Sequence, residues 1–124
     1  MSSLAAKNTE TGGGALADKL RRLCLALAAA EEVEMARGPT YRVGGKIFAC
    51  DRLVEGGATV WCKAPEGGQA HLIAADPARF FSPPYFGAKG WIGMRLEGAD
   101  RGEVERLVER SYGLVAKKGR PEKG

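Results

Sequence analysis

The chain has 124 residues, 44% of them apolar and 27% charged, with a net charge of +4, the make-up of one ordinary globular domain. No stretch approaches the roughly 20 apolar residues that a membrane-crossing helix needs. The polar, glycine-rich start from Met1 to Gly14 lacks the basic and apolar regions of a secretion signal, so a cytoplasmic protein without membrane attachment is expected.

After the glycine run, Leu16, Leu20, Leu23 and Leu27 recur at helical spacing, and the alanines around them add helix propensity. The pattern predicts a helix over about 15–30. Glu31 to Ala36 reads as its frayed end or as a short strand. Arg37-Gly38-Pro39 is a breaker. Thr40 to Val43 then predicts a strand, Gly44-Gly45 a hairpin turn, and Lys46 to Val54 the returning strand. Glu55-Gly56-Gly57 is a second turn, followed by a third strand from Ala58 to Lys63.

Ala64-Pro65 ends this meander, and Glu66 to Ala74 predicts a helix. Asp76-Pro77 opens another turn. Phe81 to Gly87, with Pro83-Pro84, reads as a loop, and Lys89 to Glu97 as a later strand. Asp100 is a natural N-cap, with Glu103 three residues on, for a last helix over about 100–117. One helix, three strands, a helix, one or two strands and a helix contain no alternating βαβ units. The expected class is therefore α+β in two layers, an antiparallel sheet with helices packed on one face. Residues 1–14 are expected as a disordered tail, 15–117 as the single domain and 118–124 as a mobile basic tail.

Strand alternation then assigns faces. Val60 and Cys62, with Ile92, Met94 and Leu96, point to the core. Thr59, Trp61 and Lys63, with Trp91, Gly93 and Arg95, point to the less covered face. Aromatics interleaved with cations are a recurring way to hold nucleic acid, although tryptophans in strands more often simply pack, here under the Pro83 to Gly87 loop. The charge is uneven in the same sense. Residues 37–96 carry eight basic side chains (Arg37, Arg42, Lys46, Arg52, Lys63, Arg79, Lys89 and Arg95) against four acids (Asp51, Glu55, Glu66 and Asp76). The flanking segments are net acidic, and the end of the chain adds Lys117, Lys118, Arg120 and Lys123 against Glu122.

Chemistry-bearing patterns are few. Cys24, Cys50 and Cys62 lie apart in apolar contexts, as buried reduced thiols do; a Cys50–Cys62 disulfide would need neighbouring strands to bring the two together. His71 is the single histidine and has no ligand cluster around it. Ser82 and Ser111 have no sequence-adjacent base, and no phosphate-cradling loop, nucleophile elbow or dinucleotide fingerprint is present. No cofactor, no metal and no catalytic activity are expected.

Val43-Gly44-Gly45-Lys46-Ile47-Phe48-Ala49 resembles the turn and strand of MmcQ/YjbR-like proteins. Ser82-Pro83-Pro84-Tyr85-Phe86-Gly87-Ala88-Lys89-Gly90-Trp91-Ile92 looks like that family's loop into a glycine-tryptophan strand. Ser111 to Lys118 is similar to its closing helix, and Leu23 to Leu27 with Glu31-Glu32 to its first helix. One departure is Ala28, where the family often has proline, which leaves room for a longer first helix. The resemblance implies an α/β fold and DNA binding through a double wing of β-hairpins, here those around Gly44-Gly45 and Glu55-Gly56-Gly57, with no catalytic residues. The expected nucleic-acid contacts are Arg42, Lys46, Arg52, Lys63, Lys89, Trp91 and Arg95, in a chain acting as a monomer. The alternative is a protein- or peptide-binding adaptor that anchors a partner on Trp61, Trp91, Tyr85 and Phe86. A small-ligand pocket beneath the 83–87 loop is a third possibility.

Overall fold

In the computed structural model, residues 14–119 are described, with side chains to residue 116. The expected tails fall almost wholly outside that range. The leucine stripe forms α1 (Gly14–Leu25), which buries Leu20 and Cys24. This helix stops at Leu25 rather than Ala30. Leu27 N–H donates to the Cys24 carbonyl (3.2 Å) and Ala30 N–H to the Leu27 carbonyl (3.1 Å), while Ala29 takes φ 61°. The propensity of a few alanines is a weak preference, and it yields because the chain must reverse here to enter the sheet.

The undecided segment is a strand, β1 (Glu31–Met35), paired antiparallel with β2 (Gly38–Val43) from Glu31↔Arg42 to Met35↔Gly38. Gly38 and Pro39, expected as a breaker, already belong to β2. At Gly38 the backbone holds φ 130°, and a Cβ would lie 2.5 Å from the Asp51 carbonyl oxygen, so no side chain fits. Gly44 and Gly45, at φ 60° and 81°, turn β2 into β3 (Lys46–Val54) with the left-handed pair such hairpins require. The second turn is Glu55-Gly56, because Gly57 pairs with Val54 and starts β4 (Gly57–Lys63).

Next come α2 (Gly68–Ala75), a two-residue strand β5 (Phe80–Phe81) in what reads as loop, a 3-10 turn over Phe86–Lys89, β6 (Trp91–Arg95) and α3 (Arg101–Gly119). Asp100 caps α3 as expected, its carboxylate accepting the Glu103 N–H at 3.2 Å. Together they make a six-stranded antiparallel sheet in the order β1-β2-β3-β4-β6-β5. Helices α1 and α3 pack their apolar stripes on one face, over Tyr41, Phe48, Val60, Ile92 and Met94, and α2 adds the half-buried Leu72 and Ile73 to the same core.

A β-bulge between β2 and β3 decides what occupies the other face. Tyr41 pairs with Ala49 but Arg42 pairs with Ile47, so Phe48 is the extra residue. Both Phe48 and Ala49 reach the helix-side core, whereas Ile47 and Cys50 join a second cluster with Trp61 and Trp91. The bulge reverses the alternation of β3 beyond it. Cys50, Arg52 and Val54 consequently share the face without helices, and Asp51 turns toward the helices. Cys50 pairs with Trp61 and Ala49 with Cys62, which puts Cys50 and Cys62 on opposite faces, so strand pairing does not bring the two sulfurs together. All three cysteines are free and buried.

Candidate functional site

Neighbouring positions across β3, β4 and β6 bring Arg52, Thr59 and Arg95 into one row, since Thr59 pairs with both arginines. Arg42 lies on the same face one strand further out, opposite Ile47. Each guanidinium rests on something that fixes its plane. Arg52 sits 5.5 Å from the centroid of the Trp61 ring and donates weakly to the carbonyls of Asp51 (3.3 Å) and Gly38 (3.5 Å). Arg95 stacks 4.7 Å from the Phe81 centroid and donates from Nε to the Ala78 carbonyl (3.1 Å). Arg42 donates from Nε to Thr40 Oγ1 (3.2 Å), and that hydroxyl donates in turn to the Val33 carbonyl (2.9 Å). Planar guanidiniums laid on aromatic rings lose little further freedom when they meet an anion.

No carboxylate forms an ion pair with this row among the described residues. Among the described residues the ion pairs are Arg21 with Glu32 (2.7 Å) and Arg79 with Asp76 (3.8 Å) and Glu103 (2.9 Å). Arg42, Arg52, Lys63, Lys89 and Arg95 take part in none of them. Beneath the row the Cys50 thiol is pushed up to about 11 by burial, an effect that the Arg52 and Arg42 charges oppose. Two depressions flank it. One, of about 480 Å³, has Gly14 and Ala17 of α1, Arg37, Asp51, Arg52 and Trp61 in its lining; the other, of about 400 Å³, has Thr59, Asp76, Arg79, Arg95 and Glu97.

The rest of the face is roofed by the 82–90 segment. Phe86 packs against Trp91 at 4.9 Å and edge-on to Trp61 at 6.0 Å. Gln69 ties the segment down, donating from Nε2 to the carbonyls of Gly87 (2.9 Å) and Trp91 (2.6 Å). The space under the loop is therefore filled by the Phe86 ring, where a pocket would have needed room. Trp61 and Trp91 are each only 7% exposed, so they are floor, and the open aromatic surface drawn from strand alternation is not there. Tyr85 is the aromatic that remains outside, 73% exposed, with the Lys89 ammonium 4.7 Å from its ring centroid.

The expected contacts thus divide. Arg42, Arg52 and Arg95 share one face; Lys63, paired with Trp91, sits at the register of that face, and Lys89 on its roof. Lys46 pairs with Val43, a helix-side residue, and lies at the hairpin mouth on the other side. Trp91 lies beneath the surface. Ser111 is fully buried and ties α3 to the sheet: its hydroxyl donates to the Phe48 carbonyl (2.6 Å) and accepts from the Lys63 N–H (2.9 Å). Its signal in the sequence is only a polar residue among the apolar positions of the last helix.

A family model described as YjbR matches residues 25–114. The fold is similar to the crystal structure of a Deinococcus radiodurans protein with a DUF419 domain. The TM-score is 0.76 at 22% sequence identity, covering 86% of this chain and 82% of that one. No curated protein matches the chain. No helix among the described residues is long and apolar enough to cross a membrane.

Proposed function

The chain belongs to the YjbR family, and from that premise we propose that it binds DNA without catalysing a reaction, holding phosphates with the arginines of its helix-free sheet face. One observation carries this reading. Arg52 and Arg95 flank Thr59 in one row across β3, β4 and β6, Arg42 lies on the same face further along at the level of Ile47, and none of the three is in ion-pair contact with a carboxylate among the described residues. Guanidiniums held by aromatic or hydrogen-bond partners and outside any ion pair suit phosphate oxygens, and contacts of that kind position a protein on DNA without reading its sequence. The groups most able to act as nucleophiles are otherwise engaged. Burial raises all three thiols, and the Ser111 hydroxyl is committed to the backbone. The adaptor alternative loses two of its anchors with the burial of Trp61 and Trp91.

Three phosphate contacts give a log–log salt slope near −3, so affinity for a random-sequence duplex should fall roughly 40-fold between about 50 and 200 mM salt. Fluorescence anisotropy with the wild type and with Arg42→Gln/Arg52→Gln/Arg95→Gln measures both terms. A triple variant that stays folded by circular dichroism and retains the full slope, or a wild type that binds neither this duplex nor a single strand at low salt, removes the proposal. Neutralising Lys117, Lys118, Arg120 and Lys123 in a separate variant isolates what the end of the chain adds.

A further inference from the structure

Tyr85 is held in a conformation that few residues adopt. Its φ and ψ are 69° and −58°, and the Phe86 N–H donates to the Pro84 carbonyl at 2.6 Å, which together define a classical γ-turn, the strained form of that turn. Burial does not account for a tyrosine there, since its ring touches Phe86 only edge-on at 5.4 Å and stays 73% exposed. Phe86, the next residue, turns inward onto Trp61 and Trp91, while the Tyr85 ring points outward, nearly perpendicular to Phe86 at 72°, and is the most exposed large apolar side chain among the described residues.

The segment is built to keep it there. Pro83 is buried and its carbonyl accepts the Gly87 N–H at 2.6 Å, and Gln69 anchors Gly87 from below. Lys89 Nζ donates to the Tyr85 hydroxyl at 3.3 Å while its charge lies over the ring. No acid occurs from Phe81 to Gly90. A strained, rigid, cation-bearing aromatic presented to solvent marks a contact site, and this one crowns the same face that carries Arg52 and Arg95.

We propose that Tyr85 and Lys89 form a stacking platform for an unpaired base, so that the DNA held by this face is single-stranded. The inference rests on the phosphate-gripping reading above and sharpens it. In a duplex both faces of every internal base are already stacked, leaving nothing for an exposed ring to take; in a single strand each base offers a free π-face whatever its identity. Lys89 is then placed to meet the phosphate of the nucleotide whose base lies on Tyr85, while Arg52 and Arg95 meet phosphates further along the strand.

The test uses the full chain with three fluorescent probes at low salt. These are an oligothymidylate of about 12 nucleotides, within the range one single-strand-binding domain covers, a blunt duplex of equal length, and an abasic strand with the same phosphates. The wild type should bind the oligothymidylate at least tenfold more tightly than the duplex. Tyr85→Ala should weaken oligothymidylate binding about tenfold and leave the duplex and abasic strands unchanged, while Tyr85→Phe, which keeps the ring, should bind like the wild type. Equal affinity for single strand and duplex, or a silent Tyr85→Ala, overturns the platform while salt-dependent binding leaves the phosphate grip standing. A wild type that binds none of the three probes overturns both.

Discussion

The Ser111 hydroxyl donates a 2.6 Å hydrogen bond to the carbonyl of Phe48, the residue that the β-bulge leaves over between β2 and β3. A bulged residue has no full set of ladder partners, and α3 supplies one. The same oxygen accepts the backbone N–H of Lys63, so one side chain joins α3 to both β3 and β4. Ser111→Ala would orphan the buried Phe48 carbonyl and the partly buried Lys63 N–H, and we expect a loss of about 1–3 kcal/mol in urea unfolding. A loss below about 0.5 kcal/mol would show that the bulge does not depend on this tie.

Gly93 in β6 lies under the Phe81 ring, and a Cβ at that position would overlap it. Gly93→Ala should therefore cost about 1–3 kcal/mol by overpacking. Because Phe81 is also the ring on which Arg95 stacks, the substitution should also weaken the DNA binding proposed above. Adding Phe81→Ala removes the clash, so the double variant should be more stable than the sum of the two single losses. Additive losses in thermal unfolding would locate the effect elsewhere.

Asp51, turned toward the helices by the bulge, has a carboxyl held above its ordinary value of 3.8, chiefly by burial; Arg52 opposes the rise and Glu32 and Glu34 add to it. A carboxyl whose folded pKa exceeds its unfolded pKa binds its proton more tightly in the native state. The stability it contributes is present at low pH and is lost as pH rises through the folded value. Asp51→Asn should accordingly be more stable than the wild type at about pH 7, with the advantage shrinking toward about pH 3. Urea midpoints at the two pH values check this, and a difference that does not change with pH contradicts it.

Cys24 and Cys62 have thiols raised well above the usual range, chiefly by burial, and Cys50 is pushed up to about 11. A thiol kept protonated and out of contact with solvent is a poor nucleophile. The native protein should release almost no thionitrobenzoate from Ellman's reagent at neutral pH, whereas the unfolded chain should release three equivalents for its three cysteines. Of the three, Cys50 should react first. A fast native reaction at any one of them would place that sulfur at the surface.

Local signals were enough where a feature is made by neighbours in the chain. The Gly44-Gly45 turn, the whole of β3 and the Asp100 cap follow from adjacent residues and fall where the pattern puts them. The end of α1 did not, because alanine propensity favours continuing and only the pairing of β1 with β2, which lies outside the helical pattern itself, decides to stop. Ala28, where the family often has proline, did not lengthen the helix. The β5 strand is two residues long, too short to carry a period. The site was half legible. Strand alternation puts Arg95 on the right face, but counting in twos from Lys46 would bury Arg52 beneath the helices. The bulge at Phe48 reverses the count, and nothing local announces it. Burial of Trp61 and Trp91 depends on Phe86 folding back across the sheet, another long-range choice.

The sheet is open at both ends, and its two outermost strands are unlike. In β1 three of the five residues are glutamates; Glu32 is held by Arg21, and Glu31 and Glu34 are exposed. At the other end β5 offers two residues. An unpaired strand is ordinarily a template for another. Here a second copy approaching β1 would meet its own negative charge, and one approaching β5 would find too little backbone to hold. Like charge at one end and shortness at the other thus work against pairing two copies of this sheet edge to edge.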